Sequence, residues 1–326
     1  MRHHYWEPPI ALYLFLGGLA GGILFLSAIF NSFVIPGYGQ IFAMPALVAF
    51  VAIVLGCLFL VIDLGQPGVF WRVWTTAKSI IKWGATFLVI AMVCDLLYIV
   101  AYLGDAWPIF AGLSDALKPA SETILLIGGF FGLCIMMYTG IMLSTLKAHA
   151  FWATPALPIL FTVSAISTGC AAIVLSIGGW PAQLTLETLL AAAVVHEILH
   201  IVDIVLVIAE IIILLTMVLS FLGAGNVTAM QAARRWVKGS YAGLFWIGMV
   251  GIGLVVPLLM YIGGGHSAAS TVVAPILVLC GGCLLRFMVV NTDDRAEIPG
   301  EIRYYTRLPK GNEEFISKWT YGENIY

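Results

Sequence analysis

The stretch that decides the fold is Ile62-Asp-Leu-Gly-Gln-Pro-Gly-Val-Phe-Trp71, followed closely by Ser79-Ile-Ile-Lys-Trp-Gly84. It separates two very apolar segments and sets a carboxylate, Asp63, at the end of the first. Gly65, Pro67 and Gly68 break the helix there, since proline lacks a backbone donor and glycine favours turns. Phe70, Trp71 and Trp74 follow, the amphipathic rings expected at a membrane–water boundary, with Arg72, Lys78 and Lys82 beside them. The stretch reads as a loop between two helices that cross a bilayer.

Composition agrees. Of 326 residues, 61% are hydrophobic and 10% are charged, and the mean hydropathy is +1.03. A soluble domain carries about a quarter charged residues and could not hide so much apolar surface. The chain is therefore expected to be an all-α integral membrane protein, surrounded by membrane lipid and without nucleic acid among its partners. No cleavable leader is expected, because Met1 to Pro9 is short and the apolar stretch after it is long enough to span. All six cysteines lie in apolar segments, which points away from disulfides. Cys280-Gly-Gly-Cys283 reads as small-residue helix packing, since a tetrahedral metal site needs four ligands.

A span needs about 20 apolar residues. Eight stretches qualify: Ile10–Phe33, Phe42–Leu64, Ser79–Leu103, Glu122–Leu146, Thr154–Ile177, Glu187–Leu222, Ser240–Ile262 and Ser270–Val290. The sixth would reach about 54 Å against a hydrocarbon core of about 30 Å, so it must tilt, bend or protrude. Glycines recur four apart at Gly17/Gly21, Gly18/Gly22 and Gly128/Gly132, which lets helices approach closely. The expected organisation is a short segment over 1–9, four helices over 10–146, four more over 147–290, and an extramembrane tail over 291–326. Two four-helix bundles are the natural grouping.

Eight spans place both termini on one side. Of the 15 Lys and Arg residues, Lys118 alone falls on the other. The positive-inside rule then puts both termini in the cytoplasm. The tail mixes charges with Tyr304, Tyr305, Phe315, Trp319, Tyr321 and Tyr326, a density of aromatics that suits a strap docked on a partner.

Ionisable groups inside spans are expensive and point to function. Here they include Asp63, Asp95, Glu122, Glu187, His196, Glu197, His200, Asp203, Glu210 and Arg286. On the sixth span His196, His200, Asp203 and Glu210 fall within one helical face and extend over about 21 Å. Such a ladder either carries protons or holds helices together by polar contacts. His196-Glu-Ile-Leu-His200 also fits H-E-x-x-H, the zinc-protease pattern. Asp203 lies about 10 Å along the axis from His196, too far to be the third ligand. Haem is not expected, because axial ligands must come from opposite faces of the ring and His196 and His200 share a helix.

On the terminal side, His3-His4-Tyr5-Trp6, Asp63, Lys82, Trp83 and Tyr138 come together. They can form a quinone site, with a hydroxyl or imidazole donating to a carbonyl oxygen and aromatics covering the ring. An ordinary interfacial aromatic belt reads the same way.

Four pieces carry a family resemblance. They are Pro9-Ile-Ala-Leu-Tyr-Leu-Phe-Leu-Gly-Gly-Leu-Ala-Gly-Gly22, Asp63-Leu-Gly-Gln-Pro67, Ser79-Ile-Ile-Lys-Trp-Gly84 and Tyr138-Thr-Gly-Ile-Met-Leu-Ser144. The chain resembles the NrfD/PsrC family, membrane subunits of polysulfide reductase-like and related molybdopterin complexes. The family usually has Arg where this chain has Gln66, one charge fewer at the junction. The resemblance implies a haem-free subunit of a respiratory oxidoreductase in the inner membrane. Such a subunit exchanges electrons between a quinone, menaquinone or ubiquinone, and a ferredoxin-like iron–sulfur subunit, beside a molybdopterin-type catalytic subunit. It makes Tyr138 the principal quinone contact, joined by Asp63, His4 and Trp6. A proton route would use Asp95, Glu122, Glu187, His196, Glu197, His200, Asp203 and Glu210. Arg72, Lys78, Arg234, Arg235, Lys238 and Trp319 would dock the partner. Several relatives serve catalytic subunits outside the cytoplasm, opposite to the charge rule. A proton-coupled transporter or channel and an intramembrane zinc protease are the competing classes.

Overall fold

The structure is a computed structural model that describes residues 8–63, 73–75, 79–147, 149–181, 185–223, 227–263, 267 and 269–292. His4, Trp6, Arg72, Lys78 and Trp319 lie outside the described residues, and of Asp63 only the backbone, at the end of a helix, is described. Among the described residues there are α-, 3-10 and π-helices and no β-strand. The α-helices are α1 (Pro8–Ile29), α2 (Ala43–Asp63), α3 (Ile80–Ala106), α4 (Ala111–Leu117) and α5 (Ser121–Ser144). Then come α6 (Ala156–Ser176), α7 (Leu186–Gly223), α8 (Val227–Lys238), α9 (Val256–Gly263) and α10 (Ala274–Asn291).

Eight stretches are long and apolar enough to cross a membrane, and they match the eight expected spans one for one. The sixth, α7, has 38 residues. It pairs with α6 through Asp203–Ser167, and further along Phe221 meets Phe151 in the segment that leads into α6. Antiparallel pairing at that register leaves its first ten or so residues running past the end of α6. The long helix therefore protrudes from its partner rather than breaking.

Two features escaped hydropathy. The first is α8, a 12-residue amphipathic helix between spans six and seven. Ala229, Ala232, Ala233 and Trp236, at i, i+3, i+4 and i+7, are buried, while Arg234 and Lys238 are exposed. The second is π-helical winding at Phe30–Val34, Leu244–Val255 and Ala269–Val273, which lengthens or opens spans one, seven and eight. Such winding changes the hydrogen-bond register without changing the apolar pattern.

One helix holds the rest together. α1 packs on α2, α5, α6 and α10, and one continuous hydrophobic core runs across all spans. Its glycines make this possible. A Cβ at Gly21 would lie 2.6 Å from the Gly132 carbonyl of α5, and one at Gly132 would lie 2.8 Å from the Gly21 carbonyl. A Cβ at Gly22 would collide with the Ala165 carbonyl of α6 and lie 3.2 Å from Gly169 Cα. Of the four-apart glycines, Gly21, Gly22 and Gly132 are thus contact points between backbones, while Gly17, Gly18 and Gly128 admit side chains of neighbouring helices. In Cys280-Gly-Gly-Cys283, Gly281 likewise meets the Gly253 backbone, while Gly282 makes room for the Thr168 side chain. Lys118, the one basic residue expected on the far side, is paired with Asp105 at 2.5 Å.

Replacing Gly22 by Ala should sharply lower the yield and detergent melting temperature of the folded protein. Gly56→Ala is the control, because its Cβ would find its nearest neighbour at an ordinary 3.5 Å. Equal melting temperatures for the two variants would contradict the packing described.

Candidate functional site

The structure brings chemistry together at two places. The first centres on Tyr138, near the end of α5. Gly84, in the first turns of α3, has no side chain where one would strike the Tyr138 ring, so the aromatic face lies directly on the α3 backbone. Tyr13 of α1 is close enough to couple electrostatically both to Tyr138 and to Cys57 of α2. Tyr138 is buried. Its hydroxyl donates to the Met142 Sδ at 3.2 Å, one turn on. A thioether is a weak acceptor. The donor is held in an apolar place, on a partner that a carbonyl oxygen would outcompete.

Two of the sequence motifs meet here. Ser79-Ile-Ile-Lys-Trp-Gly84 supplies the glycine seat, and Tyr138-Thr-Gly-Ile-Met-Leu-Ser144 supplies the ring and its acceptor. Gly140 in the second motif admits Pro158 of α6, which fixes the rotation of α5. The Trp83 ring does not join: one residue from Gly84 and about 100° around the helix, it is exposed and contacts Phe87 at 6.2 Å. Trp74 Nε1 donates to Thr86 Oγ1 at 3.3 Å, so that ring lies along α3.

The second place lies on the inner face of α7. Asp203 and Glu210 are buried. Asp203 accepts a hydrogen bond from Ser167 of α6 at 2.6 Å, and the Tyr261 hydroxyl of α9 faces the same carboxylate. The His200 ring meets Tyr261 edge-on at 4.7 Å. Two turns along, Glu210 faces Ser164 of α6 and couples electrostatically to Arg286 of α10. Arg286 is 1% exposed. Its Nη1 donates to Ser164 Oγ at 2.7 Å and to the Gly282 carbonyl at 2.9 Å, and its Nη2 to the Phe161 carbonyl at 3.3 Å. Its guanidinium lies over the Phe161 and Phe15 rings, at 5.3 and 5.9 Å. Ser164 thus stands between the two charges.

The chain of polar groups His200–Tyr261–Asp203–Ser167 and Ser164–Glu210–Arg286 therefore runs along one helix face, as the spacing requires. The remaining acids lie elsewhere. Glu122 and Glu187 are exposed in the first turns of α5 and α7, where a carboxylate is favoured by the helix dipole. Glu197 is exposed on another face of α7, and His196 is half-buried. Asp95 is buried on α3, near Tyr98, with neither oxygen hydrogen-bonded among the described residues. The structure does not join these four acids to the α7 network. Sequence reasoning missed Ser164, Ser167 and Tyr261, because hydroxyls in spans carry no charge signal. It noted Arg286 but gave it no partner.

No three His, Cys, Asp or Glu side chains group to hold an ion among the described residues. Of the docking residues, Arg234, Arg235 and Lys238 are described, and all three lie on α8.

Replacing Arg286 by Met should lower stability by about 3–5 kcal/mol, the loss expected when one partner of a buried charge pair is removed. Adding Glu210→Gln should recover part of it. Detergent melting curves of the two variants test this, and an unshifted Arg286→Met curve would contradict the coupling.

The comparisons with known proteins fit this arrangement. The family described as polysulphide reductase, NrfD, matches residues 1–293. The C component of polysulfide reductase from Wolinella succinogenes is 28% identical over 302 residues, covering 87% of this chain and 93% of its own. Protein NrfD of Escherichia coli is 28% identical over 307 residues, covering 88% and 92%. The C component of selenate reductase from Mesobacillus selenatarsenatis is 24% identical over 319 residues, covering 87% and 73%. With eight apolar spans and a match over nearly the whole sequence, this protein belongs to the polysulphide reductase NrfD family of membrane-integral proteins.

Proposed function

We propose that the protein is the quinone-interacting membrane subunit of an oxidoreductase complex. It would exchange electrons between the quinone pool and an iron–sulfur subunit docked on the side that carries its termini, with a molybdopterin-type catalytic subunit beyond. Relatives named as subunits of polysulfide and selenate reductases support the class. The observation that carries the quinone reading is the Tyr138 hydroxyl, buried and bonded only to a thioether among the described residues.

The residues present fit a quinone. Tyr138 can turn its proton from Met142 to a carbonyl oxygen without leaving a strong bond unmade. The Gly84 seat keeps the phenol from rotating away. Tyr13 stands beside it as a second hydroxyl. A bound quinone supplies two-electron, two-proton chemistry, and its protons need an exit. Asp63 ends α2 on the same side, and His4 and Trp6 precede α1; these are proposed as the remaining contacts. Proton movement along the α7 chain would pass between groups that each give and accept one, His200, Tyr261, Asp203, Ser167, Ser164 and Glu210.

A proton-coupled transporter would use the same α7 chain but leaves the Tyr138 seat without a role. The H-E-x-x-H run lacks a third ligand among the described residues.

In the assembled complex, Tyr138→Phe should lower kcat/KM for quinol or quinone by about tenfold, the factor that one hydrogen bond of about 1.4 kcal/mol represents. Assembly should be normal, since the ring and its glycine seat remain. Unchanged quinone kinetics would place the site elsewhere. Glu210→Gln should slow proton uptake by vesicles during turnover, and normal uptake would reduce the α7 chain to helix packing.

A further inference from the structure

α8 and the last turn of α7 enclose a groove of about 680 Å³ that the quinone reading does not use. Leu222, Gln231, Arg234, Arg235, Val237, Lys238 and Gly239 line it. Three of these are cationic and none is acidic, so the groove favours an anion. Arg234 and Lys238 present their charges to the outside, while α8 itself is fixed from beneath. Trp236 Nε1 donates to Thr292 Oγ1 at 2.6 Å, and the Trp236 ring meets Phe151 and Phe245 at 5.0 and 5.5 Å. Trp246 Nε1 donates to the Val237 carbonyl at 3.2 Å while the residue stays 45% exposed, the posture of an interfacial tryptophan.

The apolar wall decides which anion. Leu222 lies one turn beyond Leu219, which is 66% exposed. From Leu219 an exposed apolar strip continues down α7 through Ile212, Val205 and Ile201. A ligand with a phosphate in the groove would find a mostly hydrocarbon surface beneath it, broken by Thr216, whose hydroxyl is turned back onto the Ile212 carbonyl. A soluble acidic protein would have no use for that strip. We propose that the groove between α7 and α8 binds the phosphate headgroup of an anionic phospholipid, whose acyl chains lie along the exposed face of α7. Basic pockets beside spanning helices recognise such headgroups through charge at close range. The three residues would then hold lipid rather than the partner subunit, and nothing in this site rests on the quinone reading.

The test uses the full-length protein with whatever subunits accompany it. It is reconstituted in phosphatidylcholine nanodiscs doped with phosphatidylglycerol and re-extracted, and the retained lipid is measured by mass spectrometry. Wild type should retain phosphatidylglycerol above its bulk share. The double variant Arg234→Gln with Lys238→Gln should retain about tenfold less, because two basic contacts are lost. Lys238→Arg, which keeps the charge, should behave as wild type. Both substituted positions are exposed, so equal melting temperatures are expected. Equal retention by wild type and the double variant would overturn the proposal. Displacement of the lipid by inorganic phosphate would make the groove a free-anion site and also overturn it. So would loss of a co-purifying subunit with lipid retention unchanged, which would return the groove to protein docking.

Discussion

The backbone of α1 touches the backbones of two other spans, and the rest of the molecule depends on that contact. Gly21 against Gly132 and Gly22 against Gly169 are neighbouring positions about 100° apart, so α1 lies between α5 and α6 with no side chain separating them. In a bilayer, lipid tails are as apolar as leucine, and helices associate through close packing and polar contacts rather than through escape from water. A central helix stripped of side chains on two faces is a direct solution. It also sets how far the outer helices stand from one another, and hence which side chains can meet.

Both polar places are arranged about this helix. One to two turns before the glycine contacts, Tyr13 reaches towards Tyr138 and Cys57, while Phe15 and Gly18 face the Arg286 guanidinium. A Cβ at Gly18 would come within 3.3 Å of Arg286 Nη2, so the same glycine run that lets helices approach also admits a buried charge. Arg286 donates from Nη1 and Nη2 to Ser164 and two carbonyls, with Glu210 as its counter-charge. Shifting α1 would disturb the tyrosine site and the charged network together. Two sites on separate helix sets thereby share one packing element.

Much of this was legible in the sequence. All eight spans followed from apolar length, and the over-long sixth from arithmetic on rise per residue. Spacing alone put Asp203 and Glu210 on one face. Other parts were not legible, for physical reasons. The seat of Tyr138 on Gly84 joins residues 54 apart, and no local pattern reports a contact between two helices. The resemblance singled out both motifs but could not say that they touch. Ser164, Ser167 and Tyr261 carry no charge and blend into the spans. α8 went unseen because its apolar face is mostly alanine and too short to register as a span. The sequence counted Glu122, Glu187 and Glu197 with the buried acids, since periodicity does not reveal which face a neighbouring helix covers.

The central claim is that the Tyr138 hydroxyl, seated on Gly84, is where the quinone binds. Photolabelling the assembled complex with an azido-quinone and mapping the modified peptides tests it most directly. The account predicts label on α5 around Tyr138 and on α3 around Gly84, suppressed by excess unlabelled quinone. Competable label confined to other helices, with these two segments unmodified, would contradict it.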